Sequence, residues 1–522
     1  MDSDGTVPSN TPSNTPSNNT PFDTPPNTPI TPPPLPIITS SAAPPDSITL
    51  RLAPDKDSFS NLIDSQPSEL SDVMTAMGVN KYKPGRLVPI SPTEFFFCTA
   101  PPKVNDSQLN TLPSFPLLSK LNSNKTYSLI DDPGAKPLLS FLLSGYKFTT
   151  YKSKNSTTPP SPPLHLPNTP ASTISQVQSI ASAIYLTRTL INTPAEHCTP
   201  SHLQSSLESL STTFPNTTTT TWVGDDLLTP NPTFSAVLPG GVCGQIHAVG
   251  RASSTPSTSP RLITLTRKLD PSYPTVALVG KGVTFDTGGL SMKSPGGMLN
   301  MKKDMGGAAH VIGLAKAVME LELKVNLEVY VPAVENNVDS KSIRPLDVIR
   351  SINGVTTEIG NTDAEGRLIL ADALALAASK EPDVIVDFAT LTGAARVALG
   401  TAVPAYFSNS ASFSDLLTEA GHEVDDPIWR MPLYEGYEGR MKSRVADLRN
   451  VPSDGGMGGA ITAACYLRNF VKKVGGKKEG ENEKKEEEVP WIHFDVNGAD
   501  GAGWGEAQGF RAALEMITKM QK

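Results

Sequence analysis

The sequence predicts an α/β protein in two parts: a small N-terminal α/β domain, and a larger C-terminal α/β domain whose largely parallel central sheet carries helices on both faces. Three observations lead there. From residue 275 onward, short β-branched apolar runs alternate with longer helical runs, the order that builds a parallel sheet with crossover helices. A chain of 522 residues can bury two separate cores. A stretch rich in Pro, Ser and Thr at 156–172 reads as a linker between them.

Residues 1–45 are expected to form a disordered tail. The first fifty positions hold no Lys, Arg or His and repeat SNTPSNTPSNNTP before a proline-rich tract, so they cannot bury enough apolar surface to offset chain entropy. The tail lacks the basic start and apolar core of a secretory signal and the arginines of a transit peptide, which makes the cytoplasm the expected location. The first folded domain is placed at 46–155, with strands at 47–52 and 94–99 and a helix at 137–144. The second is placed at 173–522 and opens with an amphipathic helix at 174–191 leading to NTPAEHCTP. There follow a strand at 275–279, a helix at 308–321, a strand at 326–331, a helix from Glu365, a strand at 383–388, a helix at 459–474, a strand at 491–496 and a closing helix. The run 368–378 is apolar on every side except for Asp372, the pattern of a buried helix. The mixed-charge run KKVGGKKEGENEKKEEE at 472–488 reads as a solvated insertion. DGGMGG at 454–459 is a flexible loop, open to reading as a pocket rim or as a plain connection.

Composition narrows the function classes. A net charge of −8 argues against nucleic acid as a partner, and no apolar run approaches the ~20 residues of a membrane span. Cys98, Cys198, Cys243 and Cys465 lack CxxC spacing and read as reduced thiols. There is no HExxH pair and no GxxxxGK[ST] loop, so one-zinc protease and nucleotide-binding readings have no support. His310, within a helical run, reads as a packed histidine rather than a ligand.

The chemistry concentrates in three glycine-rich segments: Lys281 and Asp286 in GKGVTFDTGG, Asp304 in MKKDMGG, and Asp363 with Glu365 in NTDAEGRL. Four carboxylates and an amine beside pliable backbone suit a pair of hard or borderline divalent ions. Asp363 and Glu365 are two apart, so an extended segment would aim both into one space. A buried Lys281 would have its pKa lowered, and a neutral amine can ligate a metal. Each residue has an ordinary alternative. Asn361, Thr362 and Asp363 are good helix caps, Asp304 could cap the next helix, Asp286 could serve a turn, and Lys281 could be an exposed loop residue. Arg367 tips the balance, because a cation in a first helical turn opposes the macrodipole and is expected to face an anion.

These segments identify the chain as a member of the leucyl aminopeptidase family, the M17 metallopeptidases. VGKGVTFDTGG, LSMK, MKKDMGGAA, NTDAEGRLILADAL and DFATLTGA stand in that family's order from about residue 175 onward. The resemblance implies metal ligands at Lys281, Asp286, Asp304, Asp363 and Glu365, and catalytic side chains at Lys293 and Arg367. It implies substrate contacts at Met301, Asn361, Thr390, Leu391 and Gly393. The implied reaction releases N-terminal residues, leucine-type by preference, through attack of a hydroxide bridging two ions. Lys293 would stabilise the oxyanion and Arg367 would hold a bicarbonate general base. Zn²⁺ or Mn²⁺ is implied, with Mg²⁺ or Co²⁺ tolerated at the looser site. The N-terminal part would be a macro-like domain, and the assembly a homo-hexamer, a dimer of trimers. The alternatives from other classes are a two-metal phosphoester hydrolase and a non-catalytic binding or chaperone protein on the same fold.

Overall fold

The computed structural model describes residues 30–40, 44, 47–53, 87–91, 94–98, 127–153, 163–231, 234, 238–473, 487–498 and 507–521. A small six-stranded sheet runs in the order Ile38–Thr39, Leu164–His165, Tyr127–Leu129, Ile48–Ala53, Glu94–Cys98, Leu87–Ser91. Its pairings are parallel except for the last. Two expected boundaries need correction. Ile38–Thr39 lies in the supposed tail and Leu164–His165 in the supposed linker, yet the two strands pair with each other. Each carries an apolar residue, Ile38 or Leu164, that is buried with Leu50, Tyr127, Leu138 and Phe141. Burial of those side chains, together with strand partners for the backbone, outweighs the proline-rich surroundings.

The helix Ala171–Asn192 begins three residues before its expected start and joins the two halves. Its first half gives Ile174, Val177 and Ala181 to the small core, and its second half gives Ala183, Ile184, Leu190 and Ile191 to the large one.

The large sheet has nine strands, and its parallel centre is Trp491–Asp495, Val384–Ala389, Thr275–Gly280, Asn326–Asn336. Toward its edges it turns antiparallel, with Ala405–Ser408 beside Trp491–Asp495 on one side and Arg261–Arg267 then Thr217–Val223 on the other. Strand residues alternate between two cores: Val276 and Leu278 face the helices Gly306–Glu320 and Phe510–Lys519, while Ala277 and Val279 face Gly366–Ala378. The helix Gly366–Ala378 is buried along its whole length, Asp372 included, as its composition predicts. The helix expected at 459–474 stops at Arg468. Lys472 then bridges Glu488 at the base of the charged insertion, whose interior lies outside the described residues. Among the described residues, no helix is long and apolar enough to cross a membrane.

One local break positions the site. Up to Gly280 the strand pairs with both Val384–Ala389 and Asn326–Asn336, but its continuation Gly282–Asp286 pairs only with the latter. The sheet therefore forks at Lys281, whose N–H donates to the Phe388 carbonyl at 3.0 Å while its own carbonyl accepts from Ala308. The helix beginning at Gly306 comes in so close that a Cβ on Gly307 would lie 1.9 Å from the Phe388 oxygen, which restricts the position to glycine. A crevice opens beyond the C-terminal ends of the parallel strands, where sheets of this kind hold ligands.

Candidate active site

The crevice is a cavity of about 630 Å³, and all twelve residues singled out from the sequence line it: Lys281, Asp286, Lys293, Met301, Asp304, Asn361, Asp363, Glu365, Arg367, Thr390, Leu391 and Gly393. Lys281 arrives from the fork and Asp286 from the end of the following strand. Asp304 comes from a tight helical turn, Met301–Met305, and Glu365 from the residue preceding the helix Gly366–Ala378. Asp363 sits in a turn rather than in the extended segment expected, yet its carboxylate still lies within 4.8 Å of that of Glu365. The capping alternatives do not hold for Asp304 or for Asn361, Thr362 and Asp363, since the residues preceding the two helices are Met305 and Glu365 and neither helix has a side-chain cap.

The carboxylates are crowded. Asp286, Asp363 and Glu365 each offer an oxygen, all within 4.8 Å of one another. Lys281 Nζ lies 2.8 Å from Asp304 Oδ2 and 3.0 Å from Glu365 Oε1, and donates to the Thr390 carbonyl at 3.2 Å. Lys293 Nζ bridges Asp286, at 2.7 Å, and Asp363. Asp286 Oδ1 accepts from Asn336 Nδ2 at 2.8 Å and from the Gly288 N–H at 2.9 Å. Asp304 Oδ1 accepts from the Thr390 hydroxyl at 2.8 Å. The approach of Lys281 requires Gly366, because a Cβ there would sit 2.6 Å from Nζ.

Electrostatics follow from this crowding. Burial, with the Asp286 charge added, pushes Glu365 up to about 8. Burial likewise raises Asp304 to about 6, and burial with Asp286 raises Asp363. Lys281 departs from expectation. Burial alone would lower its pKa, but with no ion between them Asp304, Glu365 and Asp286 together raise it above its ordinary range, and a cation that takes up those carboxylates would remove that support and favour the neutral amine. The buried Glu365 Oε2 has no hydrogen-bond partner. An excess of carboxylate oxygen, one of them orphaned, is the donor set that divalent cations satisfy.

Arg367 is buried and donates from Nη1 to the Asn450 carbonyl at 2.6 Å. The anion expected opposite it is not a protein carboxylate: among the described residues it forms no ion pair, and its Nε has no partner. His310 is packed as expected, stacked 5.0 Å from Phe388, with burial lowering its pKa to about 4. Cys198, Cys243 and Cys465 are buried and unpaired, while the Cys98 side chain lies outside the described residues. Of the DGGMGG loop, Gly459 lines the cavity.

Three supporting residues escaped sequence reasoning. Asn336 orients Asp286. Asp495 accepts from the N–H groups of Leu391 and Thr392, both at 3.1 Å, and from the Thr392 hydroxyl at 2.5 Å, which fixes the loop carrying Thr390. Asn450 accepts from Arg367 and donates to the Asn361 carbonyl at 2.6 Å. A usable signal existed for two of them: Asn336 and Asp495 are polar residues at the C-terminal ends of strands, at the edge where sites form.

A model of the cytosol aminopeptidase family, catalytic domain, matches residues 185–514. The chain belongs to that family. A crystal structure of the cytosol aminopeptidase from Coxiella burnetii is 36% identical and superposes with a TM-score of 0.77, covering 92% of this chain and 99% of that one. The bottromycin maturation enzyme BotP, solved in complex with Mn, is 26% identical with a TM-score of 0.72, covering 91% of this chain and 100% of its own. A curated relative from Protochlamydia amoebophila (strain UWE25), named a probable cytosol aminopeptidase, is 39% identical over 325 residues. That match takes in 62% of this chain and 59% of the relative's length. The shared family accounts for the two-domain α/β fold, since the Coxiella burnetii structure spans both parts.

Proposed function

We propose that this chain is a di-metal aminopeptidase that releases N-terminal residues, leucine-type by preference, from peptides. The observation that carries this reading is the convergence of four carboxylates and Lys281 on one cavity that also holds Lys293 and Arg367. Lys281, Asp286, Asp304, Asp363 and Glu365 would hold two divalent ions, Zn²⁺ or Mn²⁺ by family resemblance. When bound, such ions supply Lewis-acid polarisation of a carbonyl and lower the pKa of water toward neutrality.

The chain's own groups set the rest. Lys293 brings a positive charge beside Asp286 and Asp363 and is the cation available to a developing oxyanion. Arg367, fixed by Asn450 and with an unspent Nε–H, suits a small planar oxyanion such as bicarbonate, which would supply a general base. Met301, Leu391 and Gly393 provide a neutral wall for the leaving residue's side chain, with Asn361 and Thr390 as polar contacts.

A homo-hexamer in the cytoplasm accompanies this reading. Leu299, Val397 and Met457 are each more than four-fifths exposed, and each lies within two residues of a cavity-lining position. Large apolar side chains left in water beside a cavity mouth suit burial against other subunits. The direct test is hydrolysis of leucine-p-nitroanilide and Leu-Gly by purified protein given Mn²⁺ or Zn²⁺. Turnover lost on chelation is expected. Metal-loaded protein that leaves both untouched while cutting p-nitrophenyl phosphate would overturn the reading.

A further inference from the structure

The cavity holds two cations that the reaction above does not use. Lys303 Nζ donates to the Asn497 carbonyl and, at 3.0 Å, to Asn497 Oδ1. An ammonium has three N–H groups, and the third has no acceptor among the described residues. Arg396, on the helix Gly393–Leu399, is exposed, and its side chain makes no hydrogen bond or ion pair among the described residues. Both line the cavity, and Asn497, which holds Lys303, also lines a small adjoining pocket with Arg396, which puts the two cations on one wall. The nearby carboxylates are committed elsewhere: Asp304 to Lys281 and Thr390, Asp495 to the backbone of Leu391 and Thr392. Asn300, Thr392 and Thr401 add neutral polar groups to the lining of the same cavity.

Two cations on one wall, neither in an ion pair among the described residues, make that wall favourable to an anion. The wall stands in the same cavity as the proposed metal ligands, so the anion would be part of a substrate bound there. We infer that Lys303 and Arg396 bind a carboxylate of the substrate and make the site selective for peptides that present one to this wall. This rests on the aminopeptidase reading. The carboxylate has two possible sources: the side chain of an N-terminal Glu or Asp, or the C-terminus of a short peptide.

Isosteric substrate pairs separate the sources and cancel everything except charge. Kinetics of the metal-loaded enzyme on Glu-p-nitroanilide against Gln-p-nitroanilide tests the side chain, and Leu-Gly against leucyl-glycinamide tests the terminus. One pair should show a kcat/KM preference of ~10-fold for the acid, the low end of what a hydrogen bond to a charged group is worth. That ratio should fall toward one in Arg396→Gln, and also in Lys303→Met. Ratios near one in the wild type, or ratios that neither substitution moves, overturn the inference. If no substrate is cut at all, the aminopeptidase reading fails separately. Calorimetric titration with L-glutamate against L-glutamine, and with Leu-Gly against leucyl-glycinamide, then decides the carboxylate site alone. Tighter binding of an acid, abolished by Arg396→Gln, supports it, and equal binding within both pairs overturns it.

Discussion

Replacing Asp495 by Asn tests whether a residue that touches neither proposed ion nor substrate sets the geometry of the site. The carboxylate is buried and accepts three hydrogen bonds, two on Oδ1 from the N–H groups of Leu391 and Thr392 and one on Oδ2 from the Thr392 hydroxyl. Hydrogen bonds to a charged group contribute ~1.5–3 kcal/mol each and neutral ones ~1. An Asn that keeps its oxygen toward the two N–H groups weakens both bonds by about 1 kcal/mol and turns an amide donor toward the hydroxyl. The Thr392 hydroxyl already accepts from the Ala395 N–H, so only part of that third bond returns. The sum is a loss of roughly 2–3 kcal/mol. It should be felt at Thr390, whose carbonyl and hydroxyl hold Lys281 and Asp304. Ion affinity should therefore fall ~10–100-fold, the usual result of disturbing the partners of metal ligands. Urea unfolding gives the first quantity, and competition for Mn²⁺ against a chelating dye gives the second. A variant that unfolds at the wild-type midpoint and holds Mn²⁺ as tightly would refute the reasoning.

Two other outcomes can be checked on the same material. Glu365→Gln should abolish leucine-p-nitroanilide turnover while the circular dichroism and unfolding midpoint stay near wild type at pH 7, because burial opposes charge on the Glu365 carboxyl and a glutamine fills the same space; retained activity would remove Glu365 from the proposed ligand set. Burial holds His310 near 4, below the ~6.5 of an unfolded histidine, so protons bind the unfolded chain first and stability falls as pH drops through that window. Between pH 7 and pH 5 the difference is about 2 kcal/mol, and His310→Met should shrink the acid-side fall in unfolding free energy by that amount; an unchanged fall would show that His310 is not its source.

Much of the candidate site's composition was legible because it is local. Glycine beside Asp304 and Glu365, the Lys281 that follows an apolar strand, and the single Asp372 in an apolar helix are patterns within a few residues, and the structure places each at the fork or in the adjoining core. The strands Ile38–Thr39 and Leu164–His165 were not legible, since two residues show no period and exist as strands only because each supplies the other's backbone partners. Thr217–Val223 reads as a polar threonine run and becomes an edge strand only beside Arg261–Arg267.

By itself, then, the order of residues determined the alternating α/β plan and the identity of the acidic and basic groups offered to the cavity, because strand and helix periodicity and side-chain chemistry are properties of short stretches. Only the tertiary structure decided that Lys281 lies between Asp304 and Glu365, that Arg367 meets the Asn450 carbonyl, and that Lys303 and Arg396 share a cavity with no ion pair of their own among the described residues. Charge state and pairing depend on which groups lie within a few ångströms, and those groups arrive from segments far apart in the chain.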